Sequence, residues 1–123
     1  ARLTQIDYAR EMAFIATRAL PDGGEETLGA VRVVIDPDNR DAEFGVIVRS
    51  DLKGAGLGRR LMHKMIDHLR SRGTQRMLGT VLRENTGMLE LARSLGFQET
   101  ASPGDPDDHQ LRQVVLDLQL PAG

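Results

Sequence analysis

The chain has 123 residues, 40% hydrophobic and 28% charged with a net charge of −2, which fits one soluble globular domain with a single core. With no cysteine it excludes disulfides, thiol catalysis and cysteine-ligated metal, and a reducing, cytoplasmic setting is expected. No apolar run approaches the roughly 18 residues of a membrane span, and no charged-then-apolar secretory pattern is present. His63, His68 and His109 are scattered; His63 and His68 do not share a helix face well, so no metal is expected. One tyrosine and three phenylalanines on a slightly acidic chain also argue against a nucleic-acid partner.

In chain order, EMAFIATRAL (11–20) is an apolar run ending at the turn formers PDGG. TLGAVRVVI (27–35) is β-branched and ends at DPDNRD, and EFGVIVR (43–49) follows. These three predict an antiparallel meander. The period then changes: Leu57, Leu61, Met62, Met65, Ile66 and Leu69 fall at helical spacing, with Gly73 as a natural stop. RMLGTVLRE (76–84) predicts a strand and NTGMLELARSLGF (85–97) a second amphipathic helix, with Met88, Leu91, Ala92 and Leu95 on one side. FQETASP (97–103) and LRQVVLDL (111–118) complete the pattern as strands, separated by a loop containing Asp105, Asp107 and Asp108. The order β-β-β-α-β-α-β-β predicts an α+β fold, a mixed and mostly antiparallel sheet flanked by helices.

The stretch RSDLKGAGLGRRLM (49–62) places three glycines within five positions at the head of the first helix. Glycine tolerates positive φ and lets a ligand approach the main chain. A helix start offers free N–H groups at the positive end of its dipole, which suits a phosphate or pyrophosphate. The G-x-x-x-x-G-K-[ST] phosphate loop is not present, and a G-x-G-x-x-G count from Gly54 ends on Arg59 without the expected βαβ unit.

Lys53-Gly54-Ala55-Gly56-Leu57-Gly58 resembles the [Q/R]-x-x-G-x-[G/A] signature of the GNAT N-acetyltransferase superfamily, with lysine at its first position. The run of elements from strand 43–49 to the helix after Asn85 matches the family order. The resemblance implies that acetyl-CoA lies between strands 43–49 and 76–84. The amides of residues 54–58 would meet its pyrophosphate, with Lys53, Arg59 and Arg60 adding positive charge. Asn85 stands where the family carries a cofactor-contacting asparagine, although a helix N-cap explains it equally well. Met88 stands where the family usually has alanine, and Ala92 where it has the tyrosine that protonates the departing thiolate.

An acceptor lysine with a pKa near 10.4 is neutral in only about one copy in 2,500 at pH 7, a handicap of about 4.6 kcal/mol. A positioned base relieves it. Glu43 is the candidate, an acid opening an otherwise apolar strand, where partial burial would raise its basicity. Alternation puts Glu43, Gly45 and Ile47 on one face, and Phe44, Val46 and Val48 on the other. A solvated glutamate at a strand edge is the competing reading. The phrases LTQIDYAREMAFIA (3–16) and AEFGVIVRSDLKGAGLG (42–58) are similar to the acetyltransferase domain of bacterial Pat-type protein lysine acetyltransferases. There the domain is fused to an acyl-CoA synthetase-like region and modifies lysines of metabolic enzymes, notably acyl-CoA synthetases. That resemblance carries the catalytic glutamate onto Glu43, with Glu11 and His109 in reserve. Main-chain N–H groups around Val46, Ile47 and Val48 are expected to stabilise the oxyanion.

The resemblance further implies that residues 1–123 are a single acetyltransferase domain, the C-terminal part of a longer protein, lacking the N-terminal strand and helices that shape the acceptor groove in relatives. Only LTQIDY occupies that place, and a homo-oligomer would cover the exposed apolar surface. Two alternatives stay open: a small-molecule amine N-acetyltransferase, and a non-catalytic acyl-CoA sensor.

Overall fold

Alternation of apolar and polar residues makes the first part of the chain a run of strands, and the computed structural model describes residues 2–7, 9–52, 54, 56–101 and 110–119. β1 (Arg2–Asp7), β2 (Glu11–Ala19), β3 (Glu25–Ile35) and β4 (Asp41–Val48) form an antiparallel meander. A 3-10 turn at Ser50–Leu52 leads to α1 (Leu57–Ser71), then β5 (Arg76–Leu82), α2 (Thr86–Ser94), β6 (Gln98–Ala101) and β7 (Leu111–Asp117). The seven strands make one sheet in the order β1-β2-β3-β4-β5-β7-β6. Only the β4–β5 pair is parallel. This is the mixed, mostly antiparallel α+β architecture expected from the element order.

One expectation is corrected. The chain does not lack a strand before the meander: the residues of LTQIDY through Asp7 belong to β1, which pairs with β2 from Arg2↔Thr17 to Asp7↔Met12. The strand is short, half polar on both faces and joined to β2 without a glycine or proline, so neither alternation nor turn chemistry announces it. Tyr8 lies outside the described residues. Among the described residues no helix precedes β2.

α1 is helical because its apolar residues recur on one stripe, and all six of them, from Leu57 to Leu69, are buried. They pack on Met12, Phe14, Ala16, Val31, Val33 and Ala42, which point to the same face of the sheet. Each buried Leu, Met, Ile, Val or Phe among them contributes roughly 1.5–3 kcal/mol of burial. The other face carries Val34, Ile47 and Leu82, all exposed.

β3 carries one extra residue. Ala16 pairs with Gly29 but Thr17 pairs with Thr27, so Leu28 is bulged and Glu26, rather than Thr27, stands opposite Arg18.

Candidate active site

β4 and β5 pair only from Asp41↔Arg76 to Glu43↔Leu78. That end is clamped: Arg76 donates twice to the Asp41 carboxylate at 2.8 and 2.9 Å, and the N–H groups of Gln75 and Arg76 donate to the Arg40 carbonyl. Beyond it each strand follows a different neighbour. β4 stays on β3 as far as Val48, and β5 on β7 as far as Leu82. The strands therefore part, opening a cleft of about 510 Å³. At the parting point the Phe44 ring lies over Gly79, where a Cβ would come within 2.5 Å of the ring. Phe97 meets Phe44 edge-on at 5.5 Å. Val46, Ile47 and Val48 line the cleft, and among the described residues the edge of β4 facing it has no strand partner there. Alternate main-chain N–H and C=O groups along that edge are open to a ligand.

The glycine loop closes one end. Gly54 (φ 87) and Gly56 (φ 86, ψ 0) adopt left-handed backbone, which a residue with a side chain adopts only under strain. Gly56 caps α1 without a side chain, and the first helical bond runs from the Arg60 N–H to the Gly56 carbonyl. The N–H groups of the first turn thus have no partner within the helix, at the positive end of its dipole. Gly54, Gly56 and Gly58 all line the cleft. Leu57 is buried, so only its main chain can serve a ligand. Arg59 lines the cleft and donates to the Ser94 hydroxyl at 2.8 Å, which itself donates to the Leu91 carbonyl; this ties α1 to α2. Arg60 is exposed outside the lining. Lys53 and Ala55 lie outside the described residues.

α2 forms the far wall. Asn85 caps it, its carboxamide oxygen accepting from the Met88 N–H at 3.2 Å, and also lines the cleft, so both readings of Asn85 have a basis. Gly87, Met88, Glu90 and Leu91 join it there, and no sequence motif marks them as site residues. The spacing of Met88 and Leu91 predicts the core side of the helix, and both pack against the core while also lining the cleft. Ala92 is fully buried, so the position expected to hold a tyrosine offers no proton donor.

Glu43 stands in the last β4–β5 pair, just before the strands part, and is not itself among the residues lining the cleft. The β3–β4 register runs without a shift, so Glu43, Gly45 and Ile47 share the face turned away from α1, as alternation predicts. Partial burial is not observed: Glu43 is exposed, as is Ile47 at 76%. Its cross-strand neighbours Val34 and Leu78 are apolar. Among the described residues no side chain pairs with it. Glu11 lies two strands away in the same row and ion-pairs with Arg32 at 3.3 Å. His109, Asp105, Asp107 and Asp108 lie outside the described residues.

Among the histidines, His63 is exposed and His68 half-buried against Phe14. Burial holds the His68 imidazole below its ordinary value, with Arg72 and Lys64 acting in the same direction and Asp7 against them. Among the described residues no group of three or more potential ligands is arranged to hold a metal ion, and no helix is long and apolar enough to cross a membrane.

A strand splay with a glycine-led helix start at its mouth has a shape and polarity suited to an extended, pyrophosphate-bearing ligand. The profile of the Acetyltransferase (GNAT) family matches residues 2–97, and the chain belongs to that family. Enzymes of this family use acetyl-CoA as cosubstrate. The L-amino acid N-acyltransferase MnaT of Escherichia coli is 41% identical over 59 residues, which cover 48% of this chain and 34% of the relative. The L-methionine sulfoximine/L-methionine sulfone acetyltransferase of Pseudomonas aeruginosa is 29% identical over 107 residues, covering 77% and 62%. This chain thus spans less than two thirds of either relative. In structure it is similar to a cAMP-binding acyltransferase from Mycobacterium smegmatis, with a TM-score of 0.71, 25% identity, and coverage of 91% of this chain and 32% of that one.

Proposed function

We propose that this chain is an acetyl-CoA-dependent N-acetyltransferase acting on the side-chain amine of protein lysines, with an acyl-CoA synthetase among its acceptors. The observation that carries it is Glu43, an exposed carboxylate in the last β4–β5 pair, next to the point where the strands part and, among the described residues, without a side-chain partner. The helix start at Gly56–Arg59 would hold the donor's pyrophosphate, and the open edge of β4 at Val46–Val48 its extended arm and the oxyanion. Glu43 would take the ammonium proton, directly or through water, as the amine attacks the thioester carbonyl. A thiolate of parent pKa about 8.5 leaves readily, so the chemistry does not require an acid at position 92. Because the acceptor would reach Glu43 across an exposed face, a lysine borne on another protein has access.

The chain would serve as one acetyltransferase domain of a larger cytoplasmic protein, a reading supported by its covering 32% of the Mycobacterium smegmatis chain. A free amino compound as acceptor is the second reading, favoured by the names of the Escherichia coli and Pseudomonas aeruginosa relatives.

Mass spectrometry of acetyl transfer tests both, with an acyl-CoA synthetase offered beside a panel of free amino acids. Glu43→Gln is expected to keep donor binding and to lose about 10²–10⁴-fold in turnover. Full turnover by that variant would remove Glu43 from the chemistry. Transfer to free amino acids alone would establish the second reading, and transfer to neither would leave an acyl-CoA sensor.

A further inference from the structure

Among the described residues the glycine loop pairs with no strand, yet its entrance is tied to the sheet by four charges. Arg49 is the hub. Its N–H donates to the Leu28 carbonyl at 2.9 Å, and its carbonyl accepts from the Leu52 N–H at 2.9 Å. The strand thus ends and the turn into the loop begins on one residue. Its guanidinium donates to both Asp51 oxygens at 2.6 and 2.7 Å and pairs with Glu26 at 3.1 Å. Glu26 is paired in turn with Arg18. The bulge at Leu28 makes this possible, because it sets Glu26 opposite Arg18 at the end of β3. Leu52, at the far end of the turn, lines the donor cleft.

We infer that Arg49 and Asp51 are positioning residues for the donor site: together they fix the Ser50–Leu52 turn against β3, and so fix where the glycine loop presents its N–H groups. Neither side chain lines the cleft. The network holds equal numbers of positive and negative groups, so its effect on an anion is geometric and not that of a net charge. Exposed single pairs are worth little, but a bidentate arginine–carboxylate pair inside a network is the case that holds a geometry. Misplacement of a binding loop by about 1 Å is enough to matter strongly.

The inference rests on the reading that the loop receives the pyrophosphate of acetyl-CoA, and the sign of one substitution tests it. Asp51→Ala removes a negative charge beside an anion site, so simple electrostatics predicts tighter acetyl-CoA binding. Positioning predicts the opposite: the dissociation constant and KM for acetyl-CoA rise about fivefold or more, while kcat at saturating donor is retained. Glu26→Gln, farther from the loop, should move the constant the same way by a smaller factor. Binding by calorimetry and thermal unfolding are measured on the same samples, so that only folded protein is compared. Unchanged or tighter binding by both folded variants would overturn the positioning role. Failure of the unaltered folded chain to bind acetyl-CoA would overturn the donor-site reading itself.

Discussion

Phe44 and Gly79 decide where the cleft begins. Each follows the last paired residue of its strand, and the phenyl ring occupies the space a side chain at 79 would need. Gly79→Ala therefore forces the ring to shift in a packed core, an overpacking cost of about 1–3 kcal/mol. Denaturant unfolding should show that loss, and it should shrink in the double variant with Phe44→Leu, since the two residues are in contact. A Gly79→Ala variant as stable as the original would mean that the contact does not constrain the strands. Glu43, one residue away, is legible in the sequence because an acid opens an apolar strand and because a family resemblance carries a base there. Its exposure is not: alternation assigns a face but does not say which face the helices cover.

At the scale of elements, α1 shows how much a period reveals. Its six apolar positions from Leu57 to Leu69 are all buried, and the stop expected at Gly73 is observed: Arg72 caps the helix and Gly73 follows it in the left-handed region at φ 78. His68 occupies the same helix at the margin of that stripe, next to Phe14 of β2. Its folded pKa is held below the ordinary 6.5, chiefly by burial, so between those values the unfolded chain binds the proton more readily. The contribution is fully present above about pH 6.5 and is lost as pH falls through the folded value. Unfolding followed from pH 8 to pH 5 should show this decline, and His68→Gln should flatten it. A slope unchanged by the substitution would assign the decline to other groups. α2 is less legible. Met88 and Leu91 have the spacing of a core stripe and do pack against the core, but they also line the cleft, a second role that their residue types do not reveal. β1 escapes the sequence pattern for a different reason: an edge strand needs only one apolar contact, here Leu3 against the core, and carries little periodic signal.

Across the whole molecule, the sheet divides into two halves held by different partners, β1–β4 and β5–β7, joined by three parallel residue pairs. The cleft is the consequence of that division, and the glycine loop stands at its mouth because α1 crosses from one half to the other. Element order and the glycine spacing make this arrangement legible. The ion-pair network behind the loop is not, since it depends on a bulge that no residue pattern marks.

If Gly54, Gly56 and Gly58 receive the pyrophosphate of acetyl-CoA, calorimetric titration with acetyl-CoA reads that contact out. The unaltered chain is predicted to bind, and Gly56→Glu to abolish binding while remaining folded by circular dichroism. That substitution strains a left-handed position by about 1–3 kcal/mol and sets a carboxylate where a phosphate must lie. Undiminished binding by folded Gly56→Glu would place the donor elsewhere and contradict the account.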